Sequence, residues 1–129
     1  MMESLPDALE VVSFMAGGYR FAVEAGQVRT QLSAQHSTEV PAAEQLLGLS
    51  AGATHGSRRI LVIKHPAGDY PVTVSEPVEL LGLRIDEIYP LPPLVAARNT
   101  LVGLRGLSIG TEGVMLLVDF RAARLAWPT

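Results

Sequence analysis

Apolar positions along the chain recur mostly at the two-residue spacing of strands, in short runs broken by glycine and proline. Leu9 to Met15 is one such run, and Ala16-Gly17-Gly18 follows it as a turn. Tyr19-Arg20-Phe21-Ala22-Val23-Glu24 alternates, placing Tyr19, Phe21 and Val23 on one face of a half-buried strand. These two runs predict a hairpin. Val28 and Leu32 stand four apart, which suits one helical turn over Gln27–Leu32. Residues 34–39 are polar and read as a loop that Val40-Pro41 stops. Ala42 to Leu47 predicts a short helix that Gly48 ends.

The second half continues in the same manner. Arg59 to Lys64 is a buried-strand run, and His65 to Asp69 is a turn. Tyr70 to Val74 predicts a strand whose Pro71 marks an edge or a bulge. Val78 to Leu83 predicts another strand. Tyr89-Pro90-Leu91-Pro92-Pro93 is a rigid extended connector, because each proline fixes its own φ and pushes the preceding residue out of the α region. Leu101 to Ile109 and Val114 to Asp119 predict a late hairpin around Gly110–Gly113. About six short strands and little helix make an all-β barrel or sandwich. No internal repeat is strong enough to use. Residues 50–58, small and polar, form the best linker. They divide the chain into a shortened first subdomain, 1–49, and a second, 59–129.

Composition then narrows the class. At 129 residues the chain is one domain or two small subdomains sharing a core, and with no cysteine it has no disulfide framework and no thiol chemistry. The net charge is −3 and the basic residues are scattered, which weighs against nucleic acid. The longest apolar runs, such as Val114 to Val118, are far short of a membrane span. Glu3, Asp7 and Glu10 stand where a secretory leader would carry lysine or arginine, so the expected location is the cytoplasm. Hydrophobic residues make up 48% and charged residues only 18%, light in charge for a soluble domain, so an exposed apolar patch is an expectation.

The candidate chemistry fails on context. Gly48-Leu49-Ser50-Ala51-Gly52 and Gly106-Leu107-Ser108-Ile109-Gly110 both match G-x-S-x-G. A nucleophile elbow needs a strand, a sharp turn and a helix. The first match leaves a helix for a loop, and the second lies within a strand. His36, His55 and His65 fall in loops or turns. His36 with Glu39, or His65 with Asp69, could hold a metal only if a helix aligned them, and none is predicted. Asp86-Glu87 and Glu76/Glu79 are carboxylate pairs with no sign of the burial that acid–base work needs. Ala16-Gly17-Gly18 lacks the Lys-Ser/Thr of a phosphate loop. The chain is read as a non-enzyme without cofactor or metal.

The order of elements resembles the CheW-like domain of bacterial chemosensory coupling proteins. Val11-Val12-Ser13-Phe14 with Tyr19–Val23 resembles the family's opening hairpin. Gln27–Leu32, a polar loop and Val40-Pro41 resemble its next segment. Arg59–Ile63, Tyr70 to Leu83 and Ile85-Asp86-Glu87-Ile88 are similar to its central strands. Pro90–Leu94 is similar to its Pro-rich connector, and Leu101-Val102-Gly103 with Val114–Phe120 to its closing hairpin.

The resemblance implies a pair of small SH3-like β-barrels with short helices. It also implies a receptor-binding apolar groove between them and a kinase contact at a barrel end. One departure stands out. The family continues from the short helix into a G-V-x-N-L-R-G strand, a hairpin and a P-V-x-D-L strand, whereas here 50–58 lead straight into Arg59. The first barrel is therefore expected to be truncated by about two strands, leaving open edges, as in the short, divergent FrzB type. The implied partners are a methyl-accepting chemoreceptor and, behind it, another CheW-like protein or a histidine kinase regulatory domain. The groove residues implied are Val28, Leu32, Leu46, Leu47 and Leu49, with Arg29 and Arg105 as polar rim contacts. A structural component pairing through its open barrel edge is the alternative.

Overall fold

The computed structural model of the chain describes residues 8–33, 40–49, 57–93, 103–110 and 113–120. Eight strands and one short helix follow in order among them: β1 (Ala8–Ala16), β2 (Tyr19–Glu24), β3 (Val28–Ser33), α1 (Ala43–Leu47), β4 (Arg58–Ile63), β5 (Tyr70–Arg84), β6 (Ile88–Pro90), β7 (Leu104–Gly110) and β8 (Gly113–Val118). One sheet holds all eight, in the order β3-β4-β5-β1-β2-β8-β7-β6. Every pairing is antiparallel except β2 with β8, which is parallel.

The centre of the sheet is buried on both faces. Val12, Phe14, Phe21 and Val23 face a larger core shared with α1, β4 and the first half of β5. Val11 and Ala22, on alternate positions of the same strands, face a smaller core with Leu83 and Met115. That is why the central runs read Val-Val-Ser-Phe and Phe-Ala-Val rather than alternating with charge. Phe14 stacks between Phe21 and Phe120, both centroids 5.7 Å away.

The opening hairpin and the late hairpin stand as expected, with Gly17 and Gly18 both at positive φ in the first turn. Gln27–Leu32 differs from expectation. Ala25–Gln27 is a 3-10 turn, and Val28 to Ser33 is strand. The four-residue spacing misled because a register shift separates Val28 from Thr30, so Val28 pairs with Ile63 and Leu32 with Ile60. The two strands expected over 70–83 are one strand, β5, of 15 residues. It changes partner midway. Tyr70–Ser75 pair with β4, and Ser75–Arg84 pair with β1. Pro71 lies in the stretch that has β4 but not β1 beside it, and the Thr73 N–H two residues on points away from β4 to Pro41 O, so the missing Pro71 N–H falls on the side away from the β4 ladder.

A repeat absent from the amino-acid identities appears in the backbone. Val23-Glu24-Ala25-Gly26-Gln27-Val28 and Leu83-Arg84-Ile85-Asp86-Glu87-Ile88 both run strand, 3-10 turn, strand. They lead into the two edge strands, β3 and β6. The expected linker falls largely on residues 50–56, and the loop on 34–39, outside the described residues. Leu101 and Val102 also lie outside them.

Candidate functional site

Helix α1 is short, so its ends carry most of its hydrogen bonding. Gln45 Oε1 accepts the Ala42 N–H at 3.1 Å, and Gly48 closes the helix at φ 80° while the Leu49 N–H reaches Glu44 O at 2.8 Å. This turn drives Leu46 and Leu47 into the larger core, where they are 2% and 0% exposed. Glu44, also buried, accepts hydrogen bonds from the Gly17 N–H (3.1 Å) and from Arg58 (3.1 and 3.3 Å). Arg58 also donates to Ser75, the residue at which β5 changes partner. Burial alone would raise the Glu44 pKa. The Arg58 hydrogen bonds, backbone donors including Gly17, and the Arg58 charge outweigh it and hold the carboxyl below its ordinary value.

The seven groove and rim residues implied by the resemblance do not form one surface in this arrangement. Leu46 and Leu47 are core. Val28 and Leu49 are half-buried and pack on the same core. Leu32 is 50% exposed, but it pairs with Ile60, whereas Val28 pairs with Ile63 beyond the register shift, so the two occupy opposite faces of β3. Arg29 is exposed and ion-paired with Asp69. Arg105 is exposed on β7, 3.7 Å from Asp119.

The exposed apolar surface lies elsewhere. Across β2, β8, β7 and β6, Phe21 pairs with Leu116, Leu116 with Leu107, and Leu107 with Tyr89. Cross-strand partners share a face, so this row runs outward from the larger core. Phe21 is buried, Leu116 and Leu107 are half-buried, and Tyr89 is 47% exposed. A second row adjoins it. Ile109 and Val114 are direct partners, 48% and 54% exposed. Tyr19 precedes Phe21 by two residues, as Val114 precedes Leu116, and these strands are parallel. Tyr19, 57% exposed, therefore neighbours Val114 rather than joining the core as its alternation with Phe21 suggested. The sequence signal was present but weak: Ile109 and Val114 flank the Gly110–Gly113 turn at matching offsets, and both read as interior of an apolar run.

The candidate chemical groups are engaged otherwise. Ser108 is buried on the opposite face of β7, between its partners Ile88 and Met115. Ser50 lies outside the described residues, as do His36, Glu39 and His55. His65 accepts the Ala67 N–H on Nδ1 at 2.9 Å, and the Asp69 carboxylate goes to Arg29. Glu76 pairs with Arg59, Glu79 with Arg20, and Asp86 with Arg84. The hydrogen bond from Arg84 lowers the Asp86 pKa most, and the Arg84 charge adds to it against an opposing desolvation. Among the described residues no group of three His, Cys, Asp or Glu could hold a metal, and no helix is long and apolar enough to cross a membrane.

No protein-family model matches the chain, and no curated protein sequence matches it. Solved structures do. The scaffolding protein TtCheW from Thermoanaerobacter tengcongensis superposes with a TM-score of 0.67 at 14% identity, over 87% of this chain and 89% of that one. The chain therefore has a CheW-like all-β fold.

Proposed function

We propose that the chain is a non-catalytic adaptor of a bacterial chemosensory system, and that its docking face is the apolar strip of Tyr19, Tyr89, Ile109 and Val114. The strip carries the reading. Exposed apolar side chains on paired strands form a surface whose geometry is fixed before binding, which lowers the ordering cost of association. The CheW-like fold over most of the chain supports the choice of system. The partner in this reading is the signalling tip of a methyl-accepting chemoreceptor, with Leu32, Arg29 and Arg105 as outlying contacts. Binding of the histidine kinase regulatory domain is not part of it, because the shortening expected between Gly48 and Arg59 removes surface from that side.

The test is a pull-down of the chain with a receptor tip and, separately, with the kinase regulatory domain. Ile109→Lys and Val114→Lys, made singly, should abolish receptor capture while the thermal midpoint stays near that of the parent. Capture unchanged by both substitutions sinks the docking face, and no capture of any receptor tip sinks the adaptor role.

A second reading is favoured by one observation. Strand β3 pairs only with β4 among the described residues, and five of its six residues are exposed. An open edge of this kind can extend the sheet into another CheW-like domain. Sedimentation of the isolated chain separates the two, since edge pairing gives a concentration-dependent dimer that lysine at position 109 or 114 leaves intact.

A further inference from the structure

At the end of β4, away from the apolar strip in sequence, an open polar pocket is lined by Gln27, Arg29, Lys64, His65 and Asp69. The chain carries a net charge of −3, yet this pocket gathers two permanent cations against one carboxylate. Lys64 is the chain's one lysine. Its backbone N–H is anchored to Gln27 O at 2.7 Å. His65 accepts the Ala67 N–H on Nδ1, so the neutral ring carries its proton on Nε2 and is left with a donor. The floor is held from both sides. Gln27 Oε1 accepts the Phe120 N–H at 3.2 Å, and the Tyr70 hydroxyl donates to Phe120 O. His65 in turn stacks edge-on against Tyr70, with centroids 6.1 Å apart.

We infer that this pocket receives an aspartate or glutamate side chain of the protein partner, and that Asp69 occupies it in the free chain as an internal competitor. The Arg29–Asp69 pair already shows the chemistry, a guanidinium nitrogen donating to a carboxylate. The pair is displaceable, because its side chains are 57% and 35% exposed and an ion pair so solvated holds only weakly. A carboxylate on a partner's surface would meet Arg29, the Lys64 ammonium and the His65 donor together, a fuller set than Asp69 uses. A net pocket charge near +1 is too small to concentrate a free dianion. It favours a carboxylate presented by a polypeptide, whose neighbouring residues add contacts of their own. The choice of a protein partner as the carboxylate's source rests on the adaptor reading, whereas the pocket's preference does not.

The experiment uses the full chain, a Glu-rich peptide, its all-Gln counterpart, inorganic phosphate and a receptor tip. The Glu peptide should bind and the Gln peptide should not, and a carbodiimide should join a peptide carboxyl to the Lys64 amine. Arg29→Gln and Lys64→Gln should each weaken binding roughly three- to fivefold. Asp69→Asn should tighten it by a similar factor, with an unchanged thermal midpoint showing that the fold is kept. Equal or weaker binding by Asp69→Asn overturns the competitor role. Phosphate shifting the Arg29 and Lys64 side-chain resonances as strongly as the peptide makes this a small-anion site and overturns the assignment. A receptor tip that binds without coupling to Lys64 removes the pocket from the interface. A tip that never binds, with the peptide series still in this order, refutes the adaptor reading and supports the pocket.

Discussion

Replacing Glu44 by glutamine should destabilise the fold far more than removing any charge outside the Glu44–Arg58 pair among the described residues. Glu44 is 5% exposed and receives three hydrogen bonds, two of them from Arg58. The amide keeps one acceptor and turns an NH2 toward a guanidinium that can only donate, so Arg58 loses its counter-charge while still mostly buried. Breaking a buried pair in this way costs about 3–5 kcal/mol, and Arg58, with 21% of its side chain exposed, recovers some hydration, which argues for the low end, ~3 kcal/mol. A domain of this size has roughly 6–15 kcal/mol in total, so the midpoint should fall by about 10 °C.

Urea denaturation followed by circular dichroism measures this, the transition midpoint moving while its steepness stays constant. Glu79→Gln, which breaks an exposed pair with Arg20, serves as the comparison and should cost under ~1 kcal/mol. The sign of the pH effect follows from the lowered Glu44 pKa. The pair's contribution is complete above the ordinary value of 4.5 and fades only as pH falls through the lower folded value. Parent and Glu44→Gln should therefore converge in stability as the solution is acidified below that range. An Glu44→Gln chain within ~0.5 kcal/mol of the parent at neutral pH, or a difference that persists in acid, refutes the reasoning.

Three further outcomes are expected. Phe14→Ala should lose about 3–5 kcal/mol in chemical denaturation, since Phe14 is fully buried between two aromatic rings. Gly106→Ala places a Cβ 2.6 Å from the Tyr89 carbonyl oxygen, so β6 must shift off β7; hydrogen exchange at Tyr89 should accelerate, with ~1–3 kcal/mol lost overall. Gln27→Leu strands the Phe120 N–H in the core, and thermal melting should register about 1–3 kcal/mol.

Much of the strand plan was legible because runs of two-residue periodicity need only local information. The hairpins around Gly17-Gly18 and Gly110–Gly113, and the helix that Gly48 ends, follow from turn chemistry alone. The failures share a cause. Val28 and Leu32 looked like a helical pair because a register shift mimics the spacing. Tyr70–Val74 and Val78–Leu83 looked like two strands because Ser75-Glu76-Pro77 reads as a break, whereas it is where β5 passes from one neighbour to the other. Leu46 and Leu47 were expected at a surface because apolarity cannot distinguish a groove from a core, and the Glu44 ties that draw α1 inward come from residues far off in sequence. The apolar strip was hidden for the converse reason. Which face of β7 and β8 lies beyond the core depends on the parallel join to β2.

That join also bears on how the chain comes to be folded. Strand β2 meets β8 through Phe21 and Leu116, so during synthesis its partner is made roughly ninety-five residues later. At ribosomal speeds that is on the order of 5–20 s. Over that interval Phe21-Ala22-Val23, the most thoroughly buried stretch of the finished sheet, presents an unpaired apolar edge. A pairing so distant in sequence also slows folding, toward the millisecond-to-second range of non-local β topologies. The nascent hairpin is thus the segment for which a holding chaperone, or a neighbouring copy, would compete with the chain's own β8.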